Sequence, residues 1–531
     1  MATRISARTA LWTIIGVSAL LRLVLAGSLE AFTNESYYYL YAKNLDWGYF
    51  DHPPMTGLVA ALGLKLAGGI SPEFGLRLGF ILMFAGSTWL LARLTTRFFG
   101  ARAGVIAALC LNATVFYGLI TSTMASPDGP LLFFWLLTLD RLAAAFDQPD
   151  RKSIWIAAGM ALGGAMLCKY YAVLLPAGAA LYMLLRPATW QCLRKLGPYL
   201  ALAVSLIVFS PVILWNATHE WASFAYQSGR ASESKGFHPN MFLEAMTAQV
   251  LFLTPWIFLT LLIVVIRLCR RRFREWSDAE VFLCCQAAPA LTLFLGLSAF
   301  QRIMPHWPMI GFVALMPLLG RNLADRLSIL QSWRRPIVVG TLMAGVPFVI
   351  AAFVVLHAQT GFLGGSGGRV LGFIEPKSDP TIDLIRWGQI AKDLRNRGLL
   401  DDPKVFLFTD HWRNSAQLAM AARLPSRTAC YTKDDRSFRL WSRSEDYVGR
   451  DGIYVDVIDG ESDSYDYGPW FTGIEFLGEI PIVRAGITME KVRLFRCNSQ
   501  TAPFRFGWAG TERVPKPNEE LARQISKTIT R

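Results

Sequence analysis

Residues 33–54 read TNESYYYLYAKNLDWGYFDHPP. The stretch lies between two apolar segments but is too aromatic and too acidic for a plain connector. Glu35, Asp46, Asp51 and His52 share it with Tyr37, Tyr38, Tyr39, Tyr41, Trp47, Tyr49 and Phe50. Aromatic rings are favoured at the membrane–water boundary, where the ring is half buried and its polar tip stays wet. Carboxylates held against such a wall lose water and become candidates for proton transfer. Two readings compete: an aromatic belt with ordinary solvated acids, or the working loop of a membrane-edge site. The chain on either side decides between them.

Upstream, residues 10–29 are apolar and follow Arg4 and Arg8. No small-residue cleavage site supports a signal peptide, so the segment reads as a first spanning helix that starts in the cytoplasm. Arg22 interrupts it near the outer end, where it either snorkels to the surface or faces the site. Downstream, apolar windows fall at 76–95, 103–121, 130–147, 153–168, 171–186, 197–215, 242–266, 279–300, 308–322 and 336–356. With the first segment that makes about eleven spans of the ~17–25 residues a bilayer requires. The Gly-rich stretch 55–70 is short and fits a helix lying along the interface.

Charge orders these spans. The chain has 531 residues, 53% hydrophobic and 17% charged, with a net charge of +14. Residues 357–531 hold 25 Lys/Arg against 23 Asp/Glu, so nearly all of the excess lies in the apolar part. On an alternating scheme the cytoplasmic connections and the N-terminus carry 20 Lys/Arg and the opposite side 7. That is the bias of membrane orientation rather than a nucleic-acid footprint. It places 33–54, 122–130, 216–241 and 301–307 outside. All six histidines fall there or at its edge, so the working face is external.

After Leu356 the glycine-rich joint GFLGGSGG (361–368) precedes a tail of soluble character. Residues 381–398 and 413–424 read as helices, and 404–410, GIYVDVI and VRLFRC as strands. The segment 461–471 reads as an acidic aromatic loop. The expected architecture is an α-helical polytopic membrane domain over 1–356 and an external α/β domain over 357–531. Six of the eight cysteines lie in or beside apolar runs and read as small buried hydrophobes. Cys430 and Cys497, the only two in the tail, are read either as a disulfide or as two buried thiols.

Four external stretches carry polar groups at the membrane edge: NESYY with DHPP (34–54), ASPDGPLL (125–132), CKYY (168–171) and PHWP (305–308). Buried without a partner, such groups cost several kcal/mol, so they mark function by default. Together they resemble the polytopic glycosyltransferases of the GT-C class. The likeness is to the bacterial branch of the dolichyl-phosphate-mannose protein mannosyltransferase family, related to the transferases that add aminoarabinose or galacturonic acid to lipid A. GYFDHPP at 48–54 is the specific part, and the likeness covers most of 1–330.

The resemblance implies inverting transfer of a sugar from a polyprenyl phosphate to an acceptor at the external face. The acceptor would be lipid A, another envelope glycan or a protein, and the expected location is the bacterial inner membrane with its site in the periplasm. Where the family pattern begins with an acid this chain has Asn34, which orients a substrate but accepts no proton at neutral pH. The base is therefore expected to be Glu35, then Asp51, then Asp128. Lys169 is expected to contact the donor phosphate. Asn34, Tyr38, His52 and His306 are expected to line the substrate. No cofactor is indicated, and His219, Glu220 and His238 lack a diagnostic metal spacing. The expected partners are the lipid-linked donor, the acceptor and membrane lipids, without nucleic acid. The rival class is a polyprenyl-lipid transporter or flippase, set against it by polar residues clustered at one face rather than at the bilayer midplane.

Overall fold

The computed structural model describes residues 6–232, 236–328, 334–364, 379–457 and 466–504. The joint at 361–368 and the loop at 461–471 fall partly outside them. The chain divides into two compact units, Met1–Gly27 with Asp46–Ala351, and Ser28–Leu45 with Ala352–Arg531.

The first unit is helical. Among the described residues, five helices are long and apolar enough to cross a bilayer unaided: Ala7–Ala26, Pro72–Phe99, Asp128–Asp147, Gly197–Thr218 and Asp278–Leu297. Three bent pairs raise the number to eight: Ala101–Asn112 with Phe116–Thr123 (77°), Tyr170–Leu185 with Pro187–Arg194 (119°), and Pro239–Leu253 with Pro255–Cys269 (107°). The three remaining apolar windows read from the sequence also form helices: 308–322 falls on Met309–Ser328 and 336–356 lies in Arg334–Thr360. Residues 153–168 form the 15-residue helix Lys152–Met166, which spans ~22 Å against a hydrocarbon core of ~30 Å. The bend in the third pair sits at Thr254, whose φ of 66° breaks the helix just before Pro255. This is the body of a multi-pass membrane protein.

Local sequence explains the longest helix. Ser71 caps Pro72–Phe99 by accepting from the Phe74 N–H at 3.1 Å, Pro72 occupies its first turn, and Gly100 ends it at φ 85°. The 55–70 stretch becomes helix Met55–Leu66, packed backbone to backbone on this one. A Cβ at Gly63 would meet the Gly75 carbonyl at 2.4 Å, and one at Gly79 the Val59 carbonyl at 2.4 Å. Small residues let membrane helices approach this closely.

The second unit holds a five-stranded sheet of β1 (Phe406–Thr409), β2 (Thr428–Cys430), β3 (Gly452–Asp456), β4 (Phe471–Arg484) and β5 (Ile487–Gln500), in the order β2-β1-β3-β5-β4. The first three are parallel, and β5 pairs antiparallel with β3 and β4. Strand alternation sorts two cores. Leu407, Ile453, Val455 and Leu494 point to an aliphatic face shared with Ile390, Leu394 and Leu418. Phe406, Phe408, Tyr454 and Phe495 point to an aromatic face with Tyr431, Tyr467 and Phe471.

Helix Asp383–Asn396 ends before Gly398 (φ 67°), as its sequence implies, and Trp412–Ala422 ends at Arg423 (φ 61°). Buried charge is paired here. Asp379 accepts from Thr381 N (2.9 Å) and Thr381 Oγ1 (2.7 Å) and ion-pairs with Arg484. Burial pushes its carboxyl up, but these partners outweigh burial and hold it below the usual range. His357 Nδ1 accepts from the Leu363 N–H at 3.3 Å, so Nε2 carries the proton that meets Asp379 Oδ2 at 3.0 Å.

The disulfide alternative is corrected. Cys430 ends β2 and Cys497 lies in β5, three strand positions away. At ~4.8 Å per strand that is roughly 14 Å, twice the ~7 Å that a bridge tolerates. Both are buried free thiols, and burial pushes Cys497 up to about 12.

Residues 28–45 differ most from the sequence reading. Residues 33–43 are not loop but helix Thr33–Lys43, and they belong to the second unit. Tyr37 lies 4.9 Å from the Trp412 ring and 5.6 Å from that of Trp441, and its hydroxyl donates to Ser437 Oγ at 3.1 Å. Gln417 Nε2 donates to Thr33 Oγ1 at 2.9 Å. Tyr37, Tyr38, Tyr39 and Tyr41 are all buried, which an aromatic belt with wet ring tips does not explain.

Candidate active site

In the first unit the short helix Thr121–Thr123 gives way to extended chain at Met124, and helix Asp128–Asp147 restarts behind Pro127. Its first residue is the carboxylate. Lys169 follows helix Lys152–Met166 at a break, with extended backbone (φ −152°, ψ 141°) that takes its side chain out of helical register. The two side chains meet. Lys169 Nζ donates to Asp128 Oδ1 at 2.8 Å and Oδ2 at 2.9 Å, with side chains 6% and 13% exposed.

Two further groups complete this cluster. The Tyr171 hydroxyl donates to Asp128 Oδ1 at 3.4 Å, and the Lys169 ammonium lies 5.3 Å from the Tyr171 ring centre. His306 Nε2 lies 3.8 Å from Asp128 Oδ2, and its ring is parallel to that of Phe116 (6.3 Å, 9°). A nearly dry lysine–carboxylate pair makes structural sense only while both partners are present. Removing one leaves an unpaired buried charge at ~3–5 kcal/mol.

The 46–55 loop is anchored beside the Lys169 break. The Trp215 indole N–H donates to Asp46 Oδ2 at 2.8 Å, and its ring covers Gly48, where a Cβ would come within 2.8 Å. Tyr49 N donates to the His52 carbonyl at 3.1 Å, and Gln227 Nε2 to that of Asp51 at 2.6 Å. Met55 N donates to the Leu167 carbonyl at 3.0 Å, two residues before Lys169. Asp51 is buried and His52 half-buried in this turn.

In the second unit Glu35 is fully buried in the first turn of Thr33–Lys43, and its Oε2 accepts from the Phe32 N–H at 3.0 Å. Asn34 beside it is exposed. Tyr38 is buried edge-on to Tyr41 at 5.4 Å.

The structure therefore joins Asp128, Lys169 and His306 in one contact set. Asp51 and His52 occupy the anchored turn of the same unit, and Asn34, Glu35 and Tyr38 lie in the other. Tyr171, Phe116 and Gln227 were not singled out from sequence. Only Tyr171 left a signal, as the last letter of CKYY. His219 is stacked on Trp215 (4.1 Å, 9°). Among the described residues no three of His, Cys, Asp and Glu converge as a metal would require.

Residues 51–215, which carry Asp51, His52, Asp128 and Lys169, match the family model described as dolichyl-phosphate-mannose-protein mannosyltransferase. Over 315 residues, 58% of this chain, the sequence is 28% identical to the lipid A galacturonosyltransferase RgtD of Rhizobium johnstonii. That match spans 64% of the relative's length, just under two thirds. Among solved structures, apo ArnT from Cupriavidus metallidurans superposes with a TM-score of 0.61 at 16% identity, covering 92% of this chain and 98% of that one. The same protein bound to undecaprenyl phosphate gives 0.60 at 16% identity over 91% and 97%. The fold is thus that of ArnT, helical with a sheet-containing C-terminal domain.

Proposed function

We propose that this chain, a bacterial GT-C relative of the lipid A-modifying transferases, moves a sugar from a polyprenyl-phosphate donor to lipid A. The reading places the reaction at the periplasmic face of the inner membrane, and the 20-to-7 charge bias supports that orientation. The observation that carries it is the Asp128–Lys169 pair, nearly dry and inside the segment that matches the family model.

In the proposed reaction the bond between the sugar's anomeric carbon and the donor phosphate oxygen breaks. The acceptor oxygen attacks from the opposite face, which inverts the anomeric centre. The departing phosphate gains negative charge, and Lys169 neutralises it. Asp128 and Tyr171 hold the ammonium aimed until that phosphate competes for it. His306 is a second donor beside the same carboxylate. The acceptor hydroxyl loses its proton to a carboxylate, assigned here to Glu35 with Asp51 as the alternative. Asn34, Tyr38 and His52 are assigned to substrate contact. No step calls for a nucleotide or a metal.

Mass spectrometry of lipid A from cells with and without the protein tests this reading. The expected difference is one sugar residue per modified lipid A. An unchanged lipid A with an altered polysaccharide or glycoprotein would move the acceptor elsewhere.

A further inference from the structure

The first spanning helix, Ala7–Ala26, buries a single stripe of Ile15, Ser18, Arg22 and Ala26, spaced three and four residues apart. Arginine is a costly choice for the middle of such a stripe. Its side chain is 1% exposed, so it does not snorkel. It reaches instead into the break between Ala101–Asn112 and the π-helical turn Phe116–Ile120.

The fork of donors fits that break. Arg22 Nη2 donates to the Gly118 carbonyl at 2.6 Å and to Asn112 Oδ1 at 3.1 Å, and Nε donates to Ser122 Oγ at 2.6 Å. Ser122 Oγ in turn donates to the Gly118 carbonyl at 2.8 Å. Asn112 Nδ2 is held by Thr88 Oγ1 and the Ala108 carbonyl, so its orientation is set from the far side. The guanidinium lies 4.5 Å from the Phe84 ring centre and 5.1 Å from that of Phe348. Nη1 has no acceptor among the described residues, so those rings carry that edge of the cation. Gly118 itself is pressed on the Asn112 carbonyl, where a Cβ would fall at 2.2 Å, so the turn cannot form without it.

Two routes lead from this turn to the candidate site. Six residues beyond Ser122 the chain delivers Asp128. At the start of the turn, Phe116 stacks on His306, which stands 3.8 Å from the same carboxylate. Both the acid and its histidine neighbour therefore hang from the segment that Arg22 pins. π-turns inside helices are frequent at functional sites and need something to hold them.

We infer that Arg22 is a positioning residue for the transfer reaction: by clamping the π-turn 116–120 it fixes where Asp128 and His306 sit around Lys169. The inference rests on the transferase reading, but its clamp is testable apart from it. Arg22→Lys keeps the charge and cannot fork to three acceptors. With a misplacement of ~1 Å costing up to ~10²-fold, kcat should fall about 10–100-fold while the donor KM stays within about twofold. Hydrogen exchange of the 116–128 amides should quicken in the same variant. Ile15→Ala, on the same stripe, loosens the helix without touching the clamp and should leave kcat and that exchange at wild-type values. Wild-type kcat and wild-type 116–128 exchange in Arg22→Lys would overturn the inference. Faster exchange in a protein that transfers no sugar even as wild type would instead uphold the clamp and reject the transferase reading.

Discussion

Lys169→Ala should slow sugar transfer severely and also weaken the fold. The catalytic loss is expected at ~10²–10³-fold, the usual effect of deleting one group that stabilises transition-state charge. The structural loss arises because Asp128 would be left buried without its cation, at ~3–5 kcal/mol. Replacing the pair together, as Lys169→Met with Asp128→Leu, should restore much of the thermal stability and none of the transfer. Lys169→Arg should retain a fraction of the rate: its planar fork can still span both Asp128 oxygens, but it is bulkier than the compact ammonium that this nearly dry site holds. Transfer rates and melting curves on the same detergent preparations separate the two effects. A Lys169→Ala protein with wild-type rate and donor affinity would show that the lysine only balances charge.

Glu35→Gln should cost ~10²–10⁴-fold in turnover, the span typical of general-base assistance. The substitution preserves shape well, because the amide carbonyl can still accept from the Phe32 N–H and keep the helix start intact. Donor binding should be unchanged. Asp51→Asn and Asp128→Asn should cost less in turnover, or act on substrate affinity and stability. Near-full turnover in Glu35→Gln with none in Asp51→Asn would transfer the base to Asp51. Activity in all three variants would remove the carboxylate-base mechanism altogether.

The strands of the C-terminal domain were legible because their alternation is strict. In FLFT and GIYVD the aliphatic residues face one core and the aromatic residues the other. The helix that ends before Gly398 was legible from its stop signal. Spans were harder to count, since hydropathy reports apolarity and not where a chain bends. Thr254, with φ 66°, leaves no compositional trace. The site was legible as residues but not as contacts. Asp128 and Lys169 are 41 positions apart, and nothing in either motif states that they pair.

The placement of residues 28–45 was missed for a physical reason. A run of tyrosines at a membrane boundary reads as a belt, whereas here the rings are buried against Trp412, Phe438 and Trp441, more than 370 positions on. Arg22 was legible as an anomaly in an apolar helix. Its acceptors were not, because a π-turn and the carbonyl it presents leave no signature in residue type.

Transfer in reconstituted liposomes tests the proposed reaction most directly. Purified protein would be given lipid A and a labelled sugar on undecaprenyl phosphate, and the products followed by mass and by anomeric configuration. Lipid A should become heavier by one sugar residue, linked with inverted configuration, and Lys169→Ala should form that product ~10²–10³-fold more slowly. Labelled donor that crosses the bilayer intact, with no new glycosidic bond formed, would contradict the proposed reaction and mark the protein as a lipid transporter.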